Sequence, residues 1–258
     1  MCTVSIITLD ESVSCAGPGY RVVCNRDENR RRPPAAAPKW RSVDGAALQA
    51  LWPMDLEAGG TWLAAGEQGL SLCMLNLNPE PPIDLRGHGK LRSRGLIIPE
   101  LIGAQGLGDV AAKLGRMNLR HFAPFRLVGV ELSDAPALRV LESRWDRRGL
   151  DIAWHGQLPV CFVSSGLGDS LALPRLDLFE ETVVAPGANP ERQDEFHRHV
   201  WPSRPEISVM MTREDARTVS VSTLEVLRTE GRPSVSMAYE PIPESATVSV
   251  AAVRTLAR

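Results

Sequence analysis

The chain has 258 residues, 43% of them hydrophobic, which is enough for a large buried core, and it is expected to form one domain over 1–258. Its 29 Lys and Arg against 31 Asp and Glu give a formal charge of −2, so no broad field draws it to nucleic acid or an anionic membrane. The first ten residues lack a signal pattern and no stretch approaches the ~20 apolar residues of a membrane span, so the chain reads as soluble and cytoplasmic.

The first element carries the most informative position. Met1 is followed by Cys2, and Cys2–Leu9 is rich in Thr, Val and Ile, as a strand requires. Removal of Met1 would leave a thiol and a free α-amine on one residue, a nucleophile and a base together. Tyr20–Asn25 reads as a second strand after a turn at Gly17, Pro18 and Gly19, so the run Asn25, Arg26, Asp27, Glu28 returns toward Cys2. Arg26 and Asp27 point to opposite faces of a regular strand, and a turn beginning there would let both face inward. The other cysteines, at 15, 24, 73 and 161, form no CxxC pair and suggest neither a disulfide framework nor a zinc site. Cys24, Cys73 and Cys161 lie in apolar runs and read as small core residues.

Arg30 to Pro38 reads as an extended connection, its three arginines either a solvated loop or a contact for an anionic substrate. Gly59-Gly60-Thr61-Trp62-Leu63 leads into a hairpin whose second strand, Leu70–Asn76, ends at Asn76. Residues 91–119 read as helical, with Pro99 making the first segment kinked or late-starting. Short β-type runs follow at Leu127–Val130, Leu138–Leu141, Leu150–Trp154 and Val160–Val163. Asn189, Pro190 and Glu191 open a capped helix. Ile207–Met211, Thr218–Leu227, Val235–Tyr239 and Thr247–Val253 return to β character. Helices set apart from antiparallel strands favour a layered α+β sandwich over a Rossmann-type sheet.

Several apparent motifs fail on spacing. Gly87-His88-Gly89-Lys90 is followed by Leu91, where a phosphate loop needs Ser or Thr, and Gly103, Gly106 and Gly108 miss the dinucleotide spacing. His197 and His199 stand two apart on a helix, without a carboxylate ligand set, so no metal and no cofactor are expected. No GxSxG elbow is present.

Met1-Cys2, Asn25–Glu28, Gly59–Leu63, the strand ending at Asn76, Arg92-Ser93-Arg94-Gly95 and the late Thr212-Arg213 together resemble the NRDE family, also called the transport-and-Golgi-organisation family, over residues 2 to about 240. That family is similar to N-terminal nucleophile hydrolases of the choloylglycine and penicillin V acylase type. The resemblance implies a four-layer αββα sandwich with mostly antiparallel sheets. It makes Cys2 the nucleophile, Arg26 and Asp27 the charged pair beside it, and Asn76 the oxyanion-binding amide. Asn25, Trp62 and either Arg213 or Arg217 would contact substrate, and Ser165 would stand where the superfamily often has a second active-site Asn. The expected function is hydrolysis of a C–N amide or related acyl bond in a small or lipid-like substrate. The alternative is a non-catalytic pocket for haem or an acyl lipid. Oligomeric state is not legible.

Overall fold

The computed structural model describes residues 2–10, 18–85, 89–132 and 138–244. The readings at Met1, Cys15, Gly17, Gly87, His88 and Thr247–Val253 lie outside these residues. Among the described residues the protein is built mostly of antiparallel strands with few helices. No helix among them is long and apolar enough to cross a membrane.

Five strands form one sheet in the order β10-β1-β2-β11-β12: Cys2–Leu9 (β1), Gly19–Asn29 (β2), Val160–Val163 (β10), Ala216–Thr229 (β11) and Arg232–Pro241 (β12). The second sheet has seven strands in sequence order, from Ala36–Ser42 (β3), Gln49–Met54 (β4), Leu63–Gly66 (β5) and Leu70–Asn76 (β6) to Phe125–Glu131 (β7), Val140–Trp145 (β8) and Leu150–His155 (β9). Alternation along the strands assigns the faces. Val4, Ile6, Val22 and Cys24 of the first sheet cluster with Leu63, Cys73, Leu75 and Val128 of the second, while Ile7 and Leu9, on the opposite face of β1, pack on Phe179, Val183 and Phe196.

The helical segment after β6 is two short helices, Ile97–Leu101 (α1) and Leu107–Arg116 (α2), with Pro99 inside the first turn of α1, where its missing N–H costs no helical bond. Both bury their apolar residues against the outer face of the second sheet, with Leu72, Leu127 and Leu141. On the first sheet lie Pro174–Phe179 (α3), continuing as one π-helical turn to Val184, and Pro190–Arg198 (α4). The α4 start follows its sequence signal, with Pro190 at the first position and the Asn189 carboxamide oxygen accepting the Arg192 N–H at 2.9 Å.

Two expectations are corrected. Ile207–Met211 is no strand but a 3₁₀ turn, Pro205–Ile207, followed by irregular chain; Val209 and Met211 are buried, and the segment is tied to the end of α4 by Met210 N–H to His199 C=O and Trp201 N–H to the Ser208 hydroxyl. No turn begins at Arg26, since β2 continues to Asn29. Instead β11 carries a bulge at Val219, because Asp27 pairs with Thr218 while Arg26 pairs with Ser220. A bulge re-aims neighbouring side chains, and Arg26 and Asp27 both line the cavity described next.

Candidate active site

Strand pairing sets the site. β1 and β2 are antiparallel with Cys2 opposite Arg26, so the hairpin brings the second residue to the NRDE run. Around them opens a cavity of ≈ 650 Å³, reached also by Asp27, Trp62, Asn76 and Arg94. Its far wall is held by two glycines. A side chain on Gly60 would come 2.4 Å from the carbonyl carbon of Gly95, and the Thr61 N–H donates to the Gly95 C=O at 3.0 Å. A Cβ at Gly60 would collide with the Gly95 backbone and one at Gly95 would crowd Thr61 at 3.0 Å, so glycine at both positions lets the two loops interlock.

Cys2 is buried. Its backbone N–H donates to the Ser164 hydroxyl oxygen at 3.0 Å, and the Ser164 N–H donates back to the Cys2 C=O at 3.0 Å. The α-nitrogen that Met1 removal would free therefore already has a hydroxyl partner. A hydrogen bond to the Cys24 thiol, followed by burial, pushes the Cys2 thiol well above its ordinary pKa. Cys24 in turn lies 3.8 Å from Cys73, sulfur to sulfur, so a line of three thiols runs from the cavity into the core.

Arg26 is buried and committed. It bonds Asp55 at 2.7 Å, lies 3.5 Å from Glu28 and stacks 4.3 Å above the Trp62 ring. Asp55 also takes Arg32 at 2.9 Å and the N–H groups of Glu57 and Ala58 at 3.0 Å. Burial opposes its charge, but the Ala58 N–H, Arg26 and Arg32 hold its carboxyl below the usual range. Arg26 is thus a bridge that fixes Trp62 and the Asp55 loop.

Asp27 accepts the Thr218 hydroxyl at 2.6 Å and stands 3.8 Å from Arg175, a fully buried residue of α3 that also donates to Thr3 Oγ1 at 2.7 Å and Ile207 C=O at 3.0 Å. Burial raises the Asp27 pKa and outweighs the opposing pull of Arg175. Asn76 ends β6 opposite Phe125, and among the described residues its side-chain amide makes no hydrogen bond. It is the uncommitted amide of the cavity.

The remaining expected residues fall elsewhere. Asn25 has no exposure and faces the helices: Nδ2 donates to His197 C=O at 2.8 Å and Val209 C=O at 2.9 Å, and Oδ1 meets His197 Nδ1 at 2.7 Å. Its alternation with Arg26 along β2 keeps it from the cavity. His197 Nε2 meets Ser5 Oγ at 2.6 Å, so Ser5, His197 and Asn25 have the outline of a catalytic triad; all three are sealed in the core and act as a clamp for α4. Ser165 is turned away, its hydroxyl accepting the Leu167 N–H at 3.2 Å, and the neighbouring Ser164 meets Cys2 instead. Arg217 is drawn to Glu244 at 2.7 Å and Ile242 C=O at 2.6 Å, and Arg213 to Asp215 at 2.6 Å; neither lines the cavity. The buried arginine beside Asp27 is Arg175. Sequence reading missed it, although Pro174 with apolar Leu176, Phe179 and Val183 at helical spacing marks its helix.

Among the described residues no cluster of His, Cys, Asp and Glu could hold a metal ion. Among solved structures, an N-acylethanolamine-hydrolyzing acid amidase ortholog of Caenorhabditis elegans superposes with a TM-score of 0.53 at 12% identity, covering 86% of this chain and 92% of its own. Penicillin V acylase of Agrobacterium tumefaciens gives 0.45 at 13% identity, over 90% and 84%. At 12% identity the first likeness establishes a shared fold and no substrate. A comparison with curated proteins finds no match. The family model described as Transport and Golgi organisation 2 matches residues 1–169, which include Cys2, the NRDE run, Asn76 and both interlocking glycine loops, and the chain belongs to that family.

Proposed function

We propose that the protein is an N-terminal nucleophile amidohydrolase in which Cys2, freed of Met1, attacks a C–N amide or related acyl bond of a small molecule. One observation carries this reading: Cys2 shares a ≈ 650 Å³ cavity with Asp27 and the uncommitted amide of Asn76, and its nitrogen lies 3.0 Å from the Ser164 hydroxyl. The packing of helices outside each of two sheets supports the four-layer αββα reading, and the return of the chain to the first sheet in β10–β12 supports one domain over 1–258.

The chemistry follows from these groups. With the thiol held neutral by Cys24 and by burial, the freed amine, of ordinary pKa about 7.7–8.0, takes the thiol proton as the sulfur attacks the carbonyl. Asn76 donates to the developing oxyanion, and Ser164 and Asp27 orient the amine. The amine returns the proton to the departing nitrogen, and water then cleaves the thioester. The charged lining suits a polar small molecule better than a long acyl chain, and this favours the amidase over lipid binding.

The test joins intact-mass analysis to incubation with short-chain acyl p-nitroanilides. Processed protein should form an acyl adduct mapped to Cys2, Cys2→Ala should form none, and Asn76→Ala should slow acylation by about 10²- to 10³-fold. Retention of Met1 on active protein, or undiminished turnover by Cys2→Ala, refutes the proposal.

A further inference from the structure

Of the four arginines that line the cavity, Arg94 alone has no ion pair among the described residues. Asp55 engages Arg26 and Arg32, and Arg92 reaches outward to Glu100 at 2.8 Å. Arg94, half-buried in the same wall, donates from Nη1 to the Pro124 C=O at 2.8 Å, and among the described residues no carboxylate lies within 4 Å of it. A guanidinium has five N–H donors in a planar fork, and the one bond to Pro124 leaves most of that fork unused. Withdrawing such a charge from water is costly without a partner. Arg94 is also held in place, because it directly precedes Gly95, whose carbonyl is locked to the Thr61 N–H. It is near enough to Cys2, and to Glu28, for each to interact with it electrostatically, and Glu28 is itself shared with Arg26 and Arg32.

We propose that Arg94 is the receptor for an anionic group, a carboxylate or phosphate, on the molecule that Cys2 attacks. The planar fork matches either anion through paired N–H···O bonds and would hold the scissile carbonyl over the sulfur. The identity of the substrate as an anionic amide rests on the amidase reading; the binding of an anion beside Cys2 does not.

Iodoacetate and iodoacetamide test this directly, since they are alike in size and differ in charge. With either reagent the Cys2 sulfur bonds to the CH₂ carbon, the C–I bond breaks, iodide leaves and the thiol proton passes to solvent. Both meet the same thiol, so the ratio of their rates cancels its degree of ionisation and isolates the contribution of the negative charge. Adducts are assigned to Cys2 by peptide mass mapping. The wild-type ratio of iodoacetate to iodoacetamide should exceed that of free cysteine by about tenfold or more. It should fall to the free-cysteine value in Arg94→Gln, remain partly in Arg94→Lys, and stay unchanged in Arg116→Gln, which removes the same charge from the remote helix α2. If Arg94→Gln does not fold, wild-type protein reads the same property: succinate, and not succinamide, should protect Cys2 from iodoacetamide. A wild-type ratio no higher than free cysteine, a ratio that survives Arg94→Gln, or a Cys2 that neither reagent reaches in folded protein overturns the assignment. Charge preference without turnover of either neutral or carboxylate-bearing acyl p-nitroanilides would keep Arg94 and discard the amidase; turnover without charge preference would do the reverse.

Discussion

Cys24 makes Cys2 a poor thiolate at rest. The S–H of Cys2 directed at the Cys24 sulfur stabilises the neutral form, and burial adds to it, so both effects raise the Cys2 pKa. Removal of Cys24 deletes the larger cause. In Cys24→Ala the pH profile of Cys2 alkylation by iodoacetamide should therefore move to lower pH; a profile that stays in place or moves up would contradict the role given to this hydrogen bond. At this scale the sequence was partly readable. The return of the run Asn25–Glu28 toward Cys2 follows from two β-rich runs and a turn, and Asn76 from the end of a strand, both being local patterns, while the register that sets Cys2 opposite Arg26 came from the structure. Ser164, Asp55 and Arg175 were not readable as partners. Each meets its target through a contact between elements far apart in the chain, and local pattern carries no information on which residue a distant loop will present.

The helix α4 is joined to the first sheet by polar contacts as well as apolar ones. The Asn25 amide donates both its observed bonds from Nδ2, so Oδ1 is the acceptor and His197 Nδ1 carries the proton. Gln193 Nε2 donates to Ser5 Oγ at 2.8 Å, which leaves the Ser5 O–H to donate to His197 Nε2. His197 is thus fixed as a neutral tautomer. Burial, then the charges of Arg21, Arg175 and Arg198, lower its pKa well below the usual ~6.5. The unfolded chain takes up a proton near pH 6.5 that the folded protein refuses, so stability should fall as pH drops below about 6.5, by up to about 1.4 kcal/mol per unit, until the folded pKa is reached. Urea denaturation between neutral pH and pH 5 should show this slope in wild type and a flatter one in His197→Gln; equal slopes would count against a neutral buried His197. The helix itself was legible from Asn189-Pro190-Glu191, whereas its clamp was not, because Ser5 and Asn25 look like ordinary strand residues until alternation is joined to a three-dimensional neighbour.

The order of strands gives the molecule a dependence on its last third that the family match does not reveal. β2 is the central strand of the first sheet, bonded on one side to β1 and on the other along nearly its whole length to β11, from Gly19 with Leu227 to Asn29 with Ala216. The match over residues 1–169 contains β1, β2, β10 and all seven strands of the second sheet, and stops before α3, α4, β11 and β12. A chain cut there would leave β2 with a bare edge, remove the helices that cover Ile7 and Leu9, and strip Asp27 of both Thr218 and Arg175. Removing one partner of a buried ion pair alone typically costs about 3–5 kcal/mol, a large part of the total stability of a domain. The fragment 1–169 should accordingly lack a cooperative thermal transition and a fixed near-ultraviolet dichroism signal, while the whole chain unfolds in one step seen alike by both probes. A fragment that melts cooperatively, or a full-length chain that unfolds in two separated steps, would show the second sheet to be independent of the first and would undo the single-domain reading. The dependence also runs through the candidate site. Cys2 and Asn76 lie in the first 169 residues, yet Thr218 and Arg175, which contact Asp27 beside Cys2, come from the part beyond them, so a fragment that kept some structure would lose these contacts to the carboxylate.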